Sequence, residues 1–207
     1  NSLAVPVVKG KKEKKAGSLS KVRIKISLKL LALCLLPMVI IAIAITIFSV
    51  QALEKGVEQE IQKSLKIVAT SVNTTYTNLY EGDYVQDKTG HITKGGVKLS
   101  GEYDLIDALK EQTGFDVSFL FADQYGCGRR VITTLRDESG RRVIGINLED
   151  EYYQMIMAEE SIYVNDYDHN DETYYMYYMR LNGADGKPIG AIEAAVPATT
   201  VKELIKS

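Results

Sequence analysis

The chain has 207 residues, with 25 basic and 27 acidic side chains, 13 tyrosines and no tryptophan. Its charge is segregated. Residues 1–29 hold nine basic residues (Lys9, Lys11, Lys12, Lys14, Lys15, Lys21, Arg23, Lys25, Lys29) against Glu13, which leaves residues 51–207 with 16 basic and 26 acidic residues, a net of −10. An acidic segment argues against nucleic acid as a partner, because that binding depends on Lys and Arg neutralising phosphates. The 157 residues from position 51 suffice for one compact domain with its own core.

Leu30 to Val50 reads LLALCLLPMVIIAIAITIFSV, without a charge. At about 1.5 Å per residue it is long enough for a hydrocarbon core about 30 Å thick. The basic tail predicts a cytoplasmic N-terminus and an outer segment 51–207 by the positive-inside rule, and it suits anionic inner-leaflet lipid. A cleaved signal peptide is the alternative, but its apolar region is shorter and ends in a small-residue site. Here the run passes into Gln51-Ala52-Leu53-Glu54. Pro37 is compatible with a membrane helix.

Past the span, apolar residues recur at Leu53, Val57, Ile61, Leu65, Val68, Val72, Tyr76 and Leu79, in steps of three and four. That spacing predicts one face of an amphipathic helix. No glycine or proline interrupts from Val57 to Glu81, so the membrane helix is expected to continue into an outer helix. Residues 82–101 read as loop or weak hairpin. Residues 102–112 read as a helix closed at Gly114. Strands are expected over 116–122, 130–135 and 143–147, with a turn at 137–140. A helix follows over 149–160 and a strand starts at 162–165. Residues 173–181 and 188–196 form an antiparallel hairpin across the turn 182–186, and the pattern turns helical from Thr199. The order predicts an α+β domain: a long helix packed on an antiparallel sheet, with helices gathered on one side.

Only Cys34, in the span, and Cys127 occur, so no disulfide closes within the outer domain. Gly126-Cys127-Gly128 holds either an incidental thiol or one that reacts or pairs between chains.

Five segments in order resemble the single-Cache sensor domain of methyl-accepting chemotaxis proteins, a Cache/PAS-like fold. They are DLID…KEQTGFDV (104–117), RVITTL (130–135), GRRVIG (140–145), ETYYMYYMRL (172–181) and DGKPIG (185–190). The likeness covers about residues 102–197. It implies a transmembrane receptor that binds a small molecule between its sheet and covering loops. It also implies a homodimer joined through the long helix, and a second membrane helix after Ser207 leading to cytoplasmic signalling partners. The domains expected are a tail (1–29), a span (30–50), a sensor (51–198) and the start of a linker (199–207). Two departures stand out. The family's short Gly-Asp-Thr-Arg turn is the longer Asp123–Arg130 loop here, and Arg180 replaces a proline.

Arg130 and Thr133 resemble the R-x-x-T or R-x-x-H by which related sensors hold carboxylates. A guanidinium fork suits a carboxylate, and a hydroxyl adds one oriented bond. The plainer alternative pairs Arg130 with Asp137 or Glu138. Along 174–181, Tyr174, Met176, Tyr178 and Arg180 alternate with Tyr175, Tyr177, Met179 and Leu181. One row is expected against the long helix and the other on a pocket, for which Tyr175 and Tyr177 are favoured. Phe119, Phe121, Tyr153 and Tyr163 are further ligand candidates, each also suited to plain core.

Asp166 to Glu172 begins like a calcium loop, but Asp171 and Tyr177 stand where that loop needs Gly and Glu, so a solvated hairpin turn is expected. His91 and His169 lack companions at zinc-ligand spacing. No metal or other cofactor is expected. The chain shows no nucleophile elbow or phosphate loop, which points away from an enzyme. The rival readings are the same sensor on a histidine kinase or cyclic-dinucleotide enzyme, and a surface-anchored protein-interaction domain.

Overall fold

The computed structural model describes residues 26–87, 90–123, 125–169 and 172–206. Of the basic tail expected over residues 1–29, residues 1–25 lie outside them. The chain divides into two compact units, Asn1–Val50 and Gln51–Ser207.

Helix α1 runs Ile26–Leu79, 54 residues with Pro37 inside it. Within the first unit it is apolar and long enough to cross a membrane, and its Leu, Ile, Val and Phe side chains are exposed. Within the second unit α1 is amphipathic. Leu65, Val68, Ala69, Val72 and Tyr76 are buried, whereas Leu53 and Leu79 at the two ends of the predicted stripe are exposed.

In the second unit, strands β1 (Tyr84–Gln86), β2 (Ile92–Lys94) and β3 (Val97–Lys98) form a small antiparallel sheet where loop or weak hairpin was expected. Helix α2 (Asp104–Thr113) ends at Gly114, whose φ of 76° and N–H to the Lys110 carbonyl (2.7 Å) close it. The main sheet has the order β5-β4-β8-β7-β6, antiparallel throughout. Its strands are β4 (Asp116–Ala122), β5 (Gly128–Thr133), β6 (Ser161–His169), β7 (Glu172–Asn182) and β8 (Pro188–Pro197). Helices α3 (Asp150–Ala158) and α4 (Ala198–Lys206) complete the unit.

Side chains leave the sheet alternately on two faces. One face carries Val117, Phe119, Phe121, Ile132, Tyr177, Leu181, Ile192, Ala194 and Val196 and packs on α1, α2 and β1–β3. The other carries Leu120, Met176, Tyr178, Ala191 and Ala195, with Ile162, Val164 and Tyr167 of β6, and packs on Tyr153 and Ile156 of α3. Central β8 is buried on both faces, so it reads as a continuous apolar run of small residues, broken only by Glu193.

The strand expected at 143–147 is replaced by a bent segment. Gly145 takes a φ of 78°, and the segment meets β5 through a single bridge, Arg129 with Asn147. The Gly145 N–H reaches the Arg130 carbonyl (2.8 Å), the Arg130 N–H the Ile146 carbonyl (3.3 Å) and the Leu148 N–H the Gly128 carbonyl (2.7 Å). The outer edge of β5 is thereby covered by irregular chain.

Candidate functional site

Residues i and i+3 on a regular strand point to opposite faces. Arg130 and Thr133 nonetheless share one. Phe119 pairs with Ile132 but Leu120 pairs with Arg130, so Val131 is an extra residue in β5. This bulge turns Arg130 to the α3 face beside Leu120, while Thr133 reaches the same face opposite Ser118. Below the bulge, Arg129 lies opposite Phe121 and points to the α1 face.

The Arg130 guanidinium is 1% exposed and its fork is filled from within the protein. Its Nε donates to Glu193 Oε1 (3.0 Å) and a terminal nitrogen to Oε2 (2.7 Å). The Ser118 hydroxyl also donates to Glu193 Oε1 (2.7 Å). With that proton spent, the contact between Ser118 Oγ and Thr133 Oγ1 (2.8 Å) requires Thr133 to donate, and Thr133 in turn accepts the Leu135 N–H (3.0 Å). Tyr178 and Tyr167 border the pair. The Tyr178 hydroxyl sits 2.9 Å from Met176 Sδ and within reach of Glu193, and the carboxylate is the better acceptor for its single proton.

Burial pushes the Glu193 carboxyl up, but the Arg130 charge, its hydrogen bonds and those from Ser118 and Tyr178 outweigh it, so the carboxyl lies below its ordinary range. Burial pulls the Arg130 guanidinium down, and the Glu193 carboxylate more than restores it. Both groups are therefore charged in the folded protein. Burial and the Glu193 charge hold the Tyr178 phenol well above its ordinary value.

Arg130 is thus paired with neither Asp137 nor Glu138. Asp137 instead holds Arg141 (2.9 Å) and its own turn. Of the other candidates, Tyr153 lies on the α3 face, 4% exposed, with its ring against Gly128 so closely that a Cβ there would fall 2.2 Å from Cδ2. Phe119, Phe121, Tyr175 and Tyr177 lie on the opposite face, in or against the α1-side core, and so does half-buried Tyr163. The row favoured for a pocket is therefore the row that packs on the long helix, because the sheet presents odd-numbered β7 residues to α1. The eight candidates do not form one site.

Sequence reasoning missed Glu193 and Ser118. Glu193 had a signal: it is the lone acid inside the apolar run PIGAIEAAV. A charge at a position flanked by small apolar residues on both sides needs a buried partner.

A second feature lies at the edge of the main sheet. A half-open groove of about 670 Å³ runs between the small sheet β1–β3, the start of α2, and the ends of β4 and β5. Phe121, Val131 and Tyr103 give it an apolar and aromatic wall, and Arg129 and Lys98 bring positive charge.

Comparison with known proteins bears on these features together. Residues 97–207 match the family described as single cache domain 3, and that is more than half of the chain. The chain belongs to this single-Cache family. Its architecture, a long helix followed by an antiparallel sheet, is the Cache α+β fold. Cache domains are extracellular sensor domains that bind small molecules and are typically non-catalytic. Among solved structures, the periplasmic domain of RsbU from Chlamydia trachomatis is similar at a TM-score of 0.40 and 10% identity, over 70% of this chain and 57% of that one. No curated protein matches.

Proposed function

We propose that the chain is the membrane-anchored input of a bacterial transmembrane receptor, with its Cache domain outside the membrane as the small-molecule sensor. The observation that carries this reading is one helix, α1, that is apolar enough to span a membrane in its first part and supplies core residues of a Cache domain in its second. The basic tail supports a cytoplasmic N-terminus. The output we assign is that of a methyl-accepting chemotaxis receptor, on the resemblance of the five ordered segments. Exposed Leu53 and Ile67 of α1 support dimerisation along that helix.

In this reading ligand binding shifts the packing of the sheet on α1 and of α4 on β7 and β8, the two ends of the domain that continue toward the membrane. The size of that shift is bounded by the ligand's differential affinity for the two arrangements. Arg130 is not the first point of contact for a carboxylate. An incoming anion must displace Glu193, and separating a buried pair costs about 3–5 kcal/mol.

The test is a thermal-unfolding screen of the full chain in detergent micelles against organic acids, amino acids, amines and purines. A binder at about 100 times its dissociation constant adds about 2.7 kcal/mol. A stabilising compound supports the sensor reading. A flat panel, with the chain assembling only with itself, favours a protein-contact domain.

A further inference from the structure

The groove at the sheet edge has a charge pattern that the buried pair does not explain. Its acids are engaged by the protein. Asp123 Oδ1 accepts the N–H groups of Tyr125 (2.8 Å) and Cys127 (3.0 Å), which shapes the β4–β5 loop. Asp87 Oδ1 accepts the His91 N–H (3.0 Å), and its Oδ2 lies 3.6 Å from His91 Nδ1. Arg142, nearby, is held by Asp107 (2.9 and 2.5 Å) and lies over the Tyr103 ring at 4.2 Å. Arg130 points away, into Glu193. Among the described residues, the Arg129 and Lys98 side chains alone bring positive charge to the groove without a hydrogen bond or ion pair.

Arg129 is also placed there by the fold. The bulge at Val131 turns it to the α1 face opposite Phe121. Its guanidinium lies against Gly145, where a Cβ would fall 2.7 Å from a terminal nitrogen. The absence of a side chain at Gly145 leaves the guanidinium room beside an apolar wall.

We propose that this groove binds an organic anion, a carboxylate carried on an apolar body, with the Arg129 fork as the partner of the carboxylate. The inference rests on the sensor reading and names its ligand class and site. Half-buried Val131 and Tyr103 receive the apolar body, and Lys98 adds long-range attraction across the mouth. A volume of about 670 Å³ falls inside the range of small-molecule sites, about 300–1,000 Å³. The two neighbouring arginines then divide the work. Arg130 is spent on an internal carboxylate, and Arg129 is free for an external one.

The test uses the full chain in detergent micelles and arginine-selective labelling with phenylglyoxal, mapped by mass spectrometry. Phenylacetate is the probe and phenylacetamide its uncharged counterpart. Phenylacetate is expected to slow labelling at Arg129 several-fold while leaving exposed Arg136 and Arg141 unchanged, and phenylacetamide is expected to do neither. Arg129→Gln is expected to weaken phenylacetate binding, read by ligand-observed NMR, about tenfold or more, the loss of a charge-assisted bond. Its tyrosine near-ultraviolet circular dichroism is expected to match the parent, which shows that the fold survives. Labelling at Arg129 that phenylacetate leaves unchanged, or slows no more than at Arg136 and Arg141, overturns the proposal. If another compound stabilises the chain while Arg129 labelling stays unchanged, the groove falls and the sensor reading stands. If Arg129 is protected in a chain whose unfolding no panel compound shifts, the groove stands and the sensor reading falls.

Discussion

Truncating either member of the Arg130–Glu193 pair leaves the other charged, unpartnered and out of water. Glu193 is 0% exposed and Arg130 1%, joined by bonds of 3.0 and 2.7 Å. Removing one partner of such a pair costs about 3–5 kcal/mol, whereas replacing both with apolar residues of similar volume is often neutral or stabilising. Arg130→Met and Glu193→Leu are therefore each expected to destabilise the domain by about 3–5 kcal/mol, and the double variant to lie within about 2 kcal/mol of the parent. For a domain of this size each kcal/mol moves Tm by about 2–4 °C, so either single change lowers Tm by about 6–20 °C. The assay is urea or thermal unfolding of the full chain, followed by near-ultraviolet circular dichroism. All 13 tyrosines lie in residues 76–178, so the signal reports the Cache domain and not the apolar part of α1. Single variants that each cost under about 1 kcal/mol, or a double variant whose loss equals the sum of the two, would show that the two charges are not coupled in the folded domain.

The same pair sets an acid limit. The folded Glu193 carboxyl lies below its ordinary value of 4.5, so its contribution is complete above that pH and is lost as pH falls through the folded value. Unfolding followed against pH is expected to show stability falling below about pH 4.5 in the parent and a flatter profile in the Arg130→Met/Glu193→Leu variant. Asp107 and Arg142 form a second pair, but the Asp107 side chain is 38% exposed, so Asp107→Asn is expected to cost no more than about 1 kcal/mol in the same assay. Gly190→Ala puts a Cβ 2.2 Å from the Leu120 carbonyl oxygen and 2.6 Å from Phe121 Cδ1. Backbone cannot yield as a side chain does, so urea unfolding is expected to show a loss at or above the roughly 1–3 kcal/mol of overpacking. For topology, Tyr125, 80% exposed, is replaced by Cys in a Cys127→Ser background. A membrane-impermeant maleimide is expected to label it in intact cells, and labelling only after lysis would reverse the assigned orientation.

The fold was legible where periodicity is strong. The stripe from Val57 to Tyr76 named the face of α1 that is buried, and the TYYMYYMRL and PIGAIEAAV runs named the two long central strands. The candidate site was less legible, because it depends on which face each strand presents. The R-x-x-T motif reaches one face only through the bulge at Val131, which no local propensity announces. Residues 143–147 read as a short strand, yet Gly145 bends the chain and leaves it as an irregular edge cover. Alternation along β7 correctly separated the two rows of tyrosines but did not say which row meets α1. The partner of Arg130 stands 63 residues away at Glu193. A long-range pair of this kind is hinted at only by an acid in a strand otherwise built of small apolar residues.

On the proposed function, ligand binding in the Cache domain reaches α1, the element that continues toward the membrane. Hydrogen–deuterium exchange of the full chain in lipid nanodiscs, with and without the panel compound that stabilises it most, tests this most directly. Slowed exchange is expected both in the ligand-contacting strands and along α1 from Leu65 to Tyr76. Slowing confined to the strands, with α1 exchanging at the same rate in both samples, would contradict it.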